Sequence, residues 1–270
     1  IVYTGNPKNY MLELYNYPPS LLGSGGTCPS HNLVCAFEKK DGSANDMQSD
    51  TRFENMDPRF DVTIVRDGSI LGARGAIDIS DPNSQDAIGK VNLRSTVTGY
   101  YLRKFLDTNI NLSAQTITST YHYFPVIRLA DIYLLYAEAM NEAYGPNDAA
   151  DLGWTALEAL NKVRTRAGIT VPYTTTSQTE MTKKIRNERR VELAFEDQRY
   201  FDLRRWKTAE KDLNQPLMGF RIERQDNGVV STHEFVVDGQ RKFNTKMYYS
   251  PIPYSEMQLN TNLVQNPGWR

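Results

Sequence analysis

Cysteine, histidine and long apolar runs are all scarce in this 270-residue chain. Cys28 and Cys35 are too few for a disulfide framework; they leave open either two free thiols or one pair in an oxidising compartment. His31, His122 and His233 are scattered, so no metal site and no metal or organic cofactor is expected. The best membrane candidate, Leu129 to Ala137, is broken by Asp131 and falls short of the ~18 apolar residues a span requires. Neither sign of charge is in excess: 31 basic against 32 acidic residues give a net charge of −1. That balance offers no ground for a nucleic-acid partner held by phosphate contacts. No G-x-S-x-G, H-E-x-x-H or phosphate-loop pattern occurs. The chain opens at Ile1 without Met or a signal-peptide pattern, as a processed or truncated chain would, and no targeting segment can be assigned.

What is present is globular. Hydrophobic residues at 40% and aromatics at 11% exclude a disordered or collagenous chain. At about 150 residues per domain, the length fits one large or two small domains. Residues 1–120 are rich in Gly, Pro, Asn, Ser and Asp, with turn signals at Asn6-Pro7, Pro18-Pro19, Gly25-Gly26, Asp57-Pro58 and Asp67-Gly68. Between them Met11–Tyr15, Leu33–Phe37, Phe60–Val65 and Tyr100–Leu106 read as short strands, and Phe60–Val65 before Asp67-Gly68 is the best hairpin signal.

Residues 121–207 carry helical spacing. Leu129, Ile132, Tyr133, Tyr136, Ala137 and Met140 mark a helix over 126–144 whose apolar stripe is wide enough to need cover on most sides. A second helix runs from about Asp151 to Ala167, with Gly168 placed for a C-terminal cap. A third opens on Ser177-Gln178-Thr179-Glu180, a capping box, and continues to about Asp197. A helical hairpin followed by a third helix predicts a mainly α, tetratricopeptide-like scaffold with long loops and a few short strands. Residues 208–270 return to loop and tail, with strand candidates at Phe235–Val237 and Met247–Ile252.

The run Lys183 to Lys207 holds nine basic and five acidic residues. Interleaved acids favour a helix laced by pairs such as Arg189 with Glu192, plus pins to adjacent helices, over an anion patch. Phe195, Tyr200, Phe201 and Trp206 are expected to anchor the run in the core. Glu138 and Glu142 share one helix face and cannot oppose each other across a cleft, so they make no glycosidase pair. The oxygen-rich run Asp41 to Asp50 lacks EF-hand spacing and reads as a polar loop. No catalytic residue is assigned. Tyrosine is the informative excess, 16 in the chain, and Tyr10, Tyr15 and Tyr17 crowd together beside Asn16. Aromatic faces beside amides suit sugar rings, whose C–H faces stack while their hydroxyls bond.

The segments YHYFPVIRLADIYLLYAEAMNEAY (121–144), ALEALNKVRTRAGI (156–169) and IRNERRVELAFEDQRYFDLRRW (185–206) closely resemble the SusD/RagB family of Bacteroidetes outer-membrane nutrient-binding lipoproteins. LVCAFEKKDGS (33–43), NMDPRFDVTIVRDG (55–68) and YYSPIPYSEMQLNTNLVQNPGW (248–269) extend the likeness in the right order. The resemblance covers the C-terminal part of such a protein, with 1–120 as a loop-rich ligand side, 121–207 as helical core and 208–270 as loop and tail. It implies binding without catalysis: a surface lid on a SusC-like TonB-dependent transporter, completed by an N-terminal half and lipid-anchored through an upstream cysteine. The implied ligand is an oligosaccharide, or in some members a peptide or other nutrient. Tyr10, Tyr15, Asn16 and Tyr17 become the implied ligand-binding residues, and Glu188, Arg189, Arg190, Asp202, Arg204 and Arg205 structural pins. Two rivals make different predictions. A helical-repeat module would grip protein partners, and a carbohydrate-active enzyme would show opposed carboxylates about 5–10 Å apart, one with a raised pKa.

Overall fold

The computed structural model describes residues 2–5, 7–72, 75–89 and 92–269. In chain order its elements are β1 (Val2–Gly5), α1 (Met11–Asn16), α2 (His31–Val34), α3 (Arg59–Thr63), β2 (Ile64–Val65), β3 (Tyr101–Leu102) and β4 (Tyr123–Ile127). There follow α4 (Leu129–Tyr144), α5 (Ala156–Ala167), α6 (Gln178–Glu192), α7 (Gln198–Arg205), α8 (Ala209–Leu213), β5 (Leu217–Arg224), β6 (Val230–Asp238) and α9 (Tyr254–Leu259). The strands pair antiparallel as β1–β4, β2–β3 and β5–β6. Helix occupies 32% of the chain, so the architecture is one of helices, long loops and short two-stranded ladders rather than a mainly helical one.

The helical midsection follows its apolar spacing. Ala130, Leu134, Ala137 and Met140 of α4 pack on Ala156, Ala159, Leu160 and Val163 of α5 and on Met181 and Ile185 of α6. Each large side chain so buried contributes about 1.5–3 kcal/mol. The rest of the α4 stripe, Leu129, Ile132 and Leu135, stays exposed. Thr155 and Glu158 make a full capping box at α5: Thr155 Oγ1 accepts from Glu158 N at 3.0 Å and Glu158 Oε2 from Thr155 N at 2.8 Å. The box expected at Ser177 is half made. Ser177 Oγ accepts from Glu180 N, while the Glu180 carboxylate pairs with Lys183 at 2.8 Å. Gly168 closes α5 at φ +91°, where a β-carbon would be strained and would meet Pro58 at 3.1 Å.

Several expected strands are helical turns. Met11–Tyr15 lies in α1, Leu33 and Val34 in α2, and Phe60–Thr63 in α3; from the Phe60–Val65 run only Ile64–Val65 pairs, with Tyr101–Leu102. Side chains at their starts decide this. Asn9 Oδ1 accepts from Met11 N, Ser30 Oγ from Leu33 N and Asp57 Oδ1 from Arg59 N, which closes each first turn locally. Met247–Ile252 is not a strand either; Thr245–Tyr248 is a 3₁₀ turn, and Pro251 and Pro253 withhold the donors a ladder needs. Helix α6 stops at Glu192, short of Asp197, because Phe195 and Asp197 adopt left-handed backbone at φ +63° and +59°. That break turns Tyr200 and Phe201 outward, 45% and 61% exposed, so they do not anchor the segment.

Glu188, Glu192 and Glu196, four residues apart and all buried, bind the loops to the helices. Arg59 pairs with Glu188 at 2.5 Å and Glu192 at 2.8 Å, and Arg128 with Glu192 at 2.5 Å and Glu196 at 2.6 Å. Arg164 reaches Glu188 and Lys104 reaches Glu196. Arg189 crosses to Asp131 (2.7 Å) and Asp202 (2.8 Å) rather than bonding Glu192 along its own helix. Arg205 joins Asp202 to Glu138, Arg204 donates to the Tyr248 carbonyl and Arg190 to the Asn32 carbonyl. The expected pins are therefore pins between elements.

Candidate functional site

Helix α1 is held from three sides. Asn9 and Thr120 exchange two backbone hydrogen bonds of 2.9 Å at its start. At its end the strap Gly23-Ser24-Gly25-Gly26 lies backbone to backbone on it: Gly25 N donates to Tyr17 O and Gly26 N to Tyr15 O. A β-carbon on Gly23 would sit 2.1 Å from Tyr17 O, so the strap closes only over glycine there. From below, the fully buried Glu13 accepts from Asp107 N at 2.9 Å and meets His122 Nε2 at 2.9 Å. Its second oxygen, Oε2, is buried without a partner among the described residues.

This bracing sorts the four sequence candidates. Tyr15 is 57% exposed. Tyr10 is half-buried against the cluster formed by Val65, Leu71, Tyr101 and Ile110. Tyr17 is buried, and its hydroxyl donates to Asp107 O at 2.7 Å. Burial, with the Glu13 and Asp107 carboxylates adding to it, pushes the Tyr17 phenol well above its ordinary range. Asn16 is buried too and donates to Leu12 O at 2.9 Å. Helix α1 thus turns Tyr15 to solvent, while Asn16 closes the last turn of the helix and Tyr17 ties its end to Asp107.

Two further exposed aromatics flank His122, the residue that braces α1 through Glu13. Tyr121 and Tyr123 are 58% and 52% exposed, with ring centroids 6.3 Å apart and planes 27° from parallel. His122 between them points inward to Glu13, so that one contact fixes the Tyr121–Tyr123 face to the helix carrying Tyr10 and Tyr15. The Tyr-His-Tyr alternation at 121–123, just ahead of the helix expected over 126–144, is the sequence signal for them. Beside Tyr17 a cleft of about 510 Å³ opens, floored by Leu21, Leu71 and Leu112 and edged by Arg103, Asn109 and Asn111. An apolar floor with a few polar groups at the edge is the usual make-up of a small-ligand site.

Two arrangements elsewhere could be mistaken for catalysts. Cys35 Sγ lies 3.3 Å from His31 Nε2. Burial raises the Cys35 thiol, with Glu234 adding to it, and burial lowers His31. Both shifts favour neutral thiol and neutral imidazole over the thiolate a nucleophile requires. Glu138 is the other. Burial would raise it, but hydrogen bonds from Arg205 and from Trp206 Nε1 (2.7 Å) outweigh that and hold it below the ordinary carboxylate range. A general acid needs the opposite shift. Cys28 and Cys35 are both free thiols. The described residues contain no group of three or more His, Cys, Asp or Glu placed to hold a metal.

The family model described as the SusD family matches residues 3–269. The chain belongs to the SusD family. The SusD family is one of binding proteins, not catalysts. SusD-like protein P25 of Formosa agariphila is 33% identical over 159 residues, 54% of this chain and 24% of that protein. SusD-like protein P2 of the same organism is 31% identical over 159 residues, 26% of its length. A solved SusD-like protein from Bacteroides fragilis is 29% identical with a TM-score of 0.75, covering 97% of this chain and 50% of its own. A solved SusD-like carbohydrate-binding protein from the same species shares the fold at 24% identity and TM-score 0.76, covering 98% and 54%. The chain therefore spans about half the length of these solved relatives, and the 159 residues it shares with each curated relative cover about a quarter of that protein. No helix among the described residues is long and apolar enough to cross a membrane.

Proposed function

We propose that this SusD-family chain forms part of a protein at the outer-membrane surface that captures oligosaccharides and delivers them to a SusC-like TonB-dependent transporter. Its helices serve as one portion of a tetratricopeptide-like scaffold, and residues 1–120, with Tyr121 and Tyr123 just beyond them, supply the ligand side. The open stripe Leu129, Ile132 and Leu135 on α4 supports a larger helical scaffold, since exposed apolar side chains at helical spacing call for a neighbour.

The observation that carries the binding role is the braced aromatic surface. Tyr15 is exposed on α1, and the exposed Tyr121 and Tyr123 flank His122, whose buried contact with Glu13 ties their segment to α1. Rigid aromatic faces stack on sugar rings at little entropic cost. In this reading Tyr10 borders the surface from its half-buried place, Asn16 closes the last turn of α1 and Tyr17 anchors the end of that helix. The carbohydrate-binding relative from Bacteroides fragilis supports a sugar over other ligands.

Calorimetric titration against a panel of neutral oligosaccharides and peptides tests the reading. Binding of one glycan class without turnover is the expected result. Binding of peptides alone would keep capture and delivery but replace the ligand class. Release of reducing ends would sink the non-catalytic reading.

A further inference from the structure

Arg59, Arg128, Arg164 and Arg189 each hold an ion pair of 3.1 Å or shorter, whereas Arg186 and Arg204 stack on the rings of Trp206 and Tyr200 instead. A cavity of about 490 Å³ gathers three further arginines without an ion pair. It lies among α2, the corner between α6 and α7, and the start of β5, and Arg190, Arg199 and Arg241 line it. None of the three has a carboxylate oxygen within 4.0 Å among the described residues. Arg190 and Arg241 each donate to one backbone carbonyl, Asn32 O at 2.6 Å and Gln215 O at 2.7 Å. Arg241 Nε is buried without a partner. Arg199 makes no hydrogen bond to a described residue; its guanidinium stands 5.9 Å from the Trp206 ring centroid.

The electrostatics show the cost. Burial, with Arg190 adding to it, pushes Arg199 down to about 10. Burial lowers Arg190 as well. Asp212 and Glu234 line the same cavity beyond ion-pair distance, so three cations face two acids. Desolvated like charges are unfavourable until an anion joins them, and guanidinium forks meet planar or tetrahedral oxyanions with paired N–H donors. The volume falls within the roughly 300–1,000 Å³ of small-ligand sites.

We propose that this cavity is an anion subsite that takes the carboxylate or sulfate group of an acidic sugar unit. The anion part rests on the arginines alone; the sugar part rests on the oligosaccharide reading above. Titration of the chain at pH 7 and low salt with glucuronate, glucose 6-sulfate, inorganic sulfate and glucose tests it, alongside Arg199→Gln. At least one acidic sugar should bind and glucose should not, with affinity falling about tenfold or more in Arg199→Gln. The ligand-free melting temperature of that variant should stay level or rise, because the guanidinium has no carboxylate to lose. A marked fall would make Arg199 a structural pin and overturn the subsite, as would equal affinity in Arg199→Gln or no acidic binding at all. Inorganic sulfate binding as tightly as the acidic sugars would overturn the sugar assignment. Acidic-sugar binding lost in Tyr15→Ala but kept in Arg199→Gln would overturn this subsite and leave the α1 surface intact. Silence of neutral oligosaccharides beside Arg199-dependent acidic binding would do the reverse.

Discussion

Tyr15 on α1 and Tyr17 just past its end are two positions apart and have opposite tasks. Tyr15 is 57% exposed, whereas Tyr17 is 2% exposed and bonded through its hydroxyl to Asp107 O. Truncating Tyr15 to Ala should weaken oligosaccharide binding by about 1–2 kcal/mol while leaving the melting temperature within error. Unchanged affinity would remove Tyr15 from the site. Tyr17→Phe keeps the ring and deletes the donor, leaving a buried carbonyl short of a partner. It should cost about 1 kcal/mol of stability with little effect on ligand affinity, checked by thermal unfolding and calorimetry together. The sequence shows four polar-aromatic candidates of equal standing. It does not show which way each faces, because a six-residue helix turns its side chains by burial, and burial here is set by Asp107 and Ile110, some ninety residues away.

At the scale of elements, the long periodic segments were legible and the short ones were not. α4, α5 and α6 were readable from the 3.6-residue apolar spacing within each, which buries Leu134, Leu160 and Ile185 respectively, and from the caps at Ser177 and Gly168. α1, α2 and α3 were not, because four to six residues carry too few turns to distinguish alternation from helical spacing, and a single side-chain cap decides them. The left-handed pair Phe195 and Asp197 was invisible for the same reason: neither is a glycine, so nothing marked the break. That break sets the energetics of α7. Trp206 is half-buried; it packs with the Leu203, Ala209, Phe243 and Tyr248 cluster, donates to Glu138 and is stacked by Arg186 and Arg205. Trp206→Ala should cost about 2–4 kcal/mol, toward the low end for an aromatic truncation because part of the ring is in water. Phe201→Ala, by contrast, should change stability by less than about 0.5 kcal/mol. Equal losses in the two variants, measured by denaturant unfolding, would show that α7 is rotated from this packing.

The whole molecule is knit through Glu188 and Glu192 of α6 and Glu196 just beyond it, which bring Arg59 and Lys104 from the loop-rich region and Arg128 from the end of β4 onto one segment. Glu192 carries the most contacts, and its titration makes stability depend on pH. Burial alone would raise it; the charges and hydrogen bonds of Arg128 and Arg59 outweigh burial and hold it at about 2, against 4.5 when unpaired. The folded protein thus binds that proton less readily than the unfolded chain does. Its contribution is complete above pH 4.5 and is lost as pH falls through that value toward 2. The loss is on the order of 3 kcal/mol. Asp86, pushed up by burial, acts in the opposite sense, but equally in any Glu192 variant. Glu192→Gln should therefore lower stability at pH 7 by about 3–5 kcal/mol, since it leaves Arg59 and Arg128 short of a buried partner. It should also flatten the fall of stability between pH 4.5 and 2. Denaturant midpoints for both proteins across that range decide the matter: parallel slopes would mean that another carboxylate governs acid unfolding, and a flatter variant would place the acid-sensitive joint between loops and helices at Glu192.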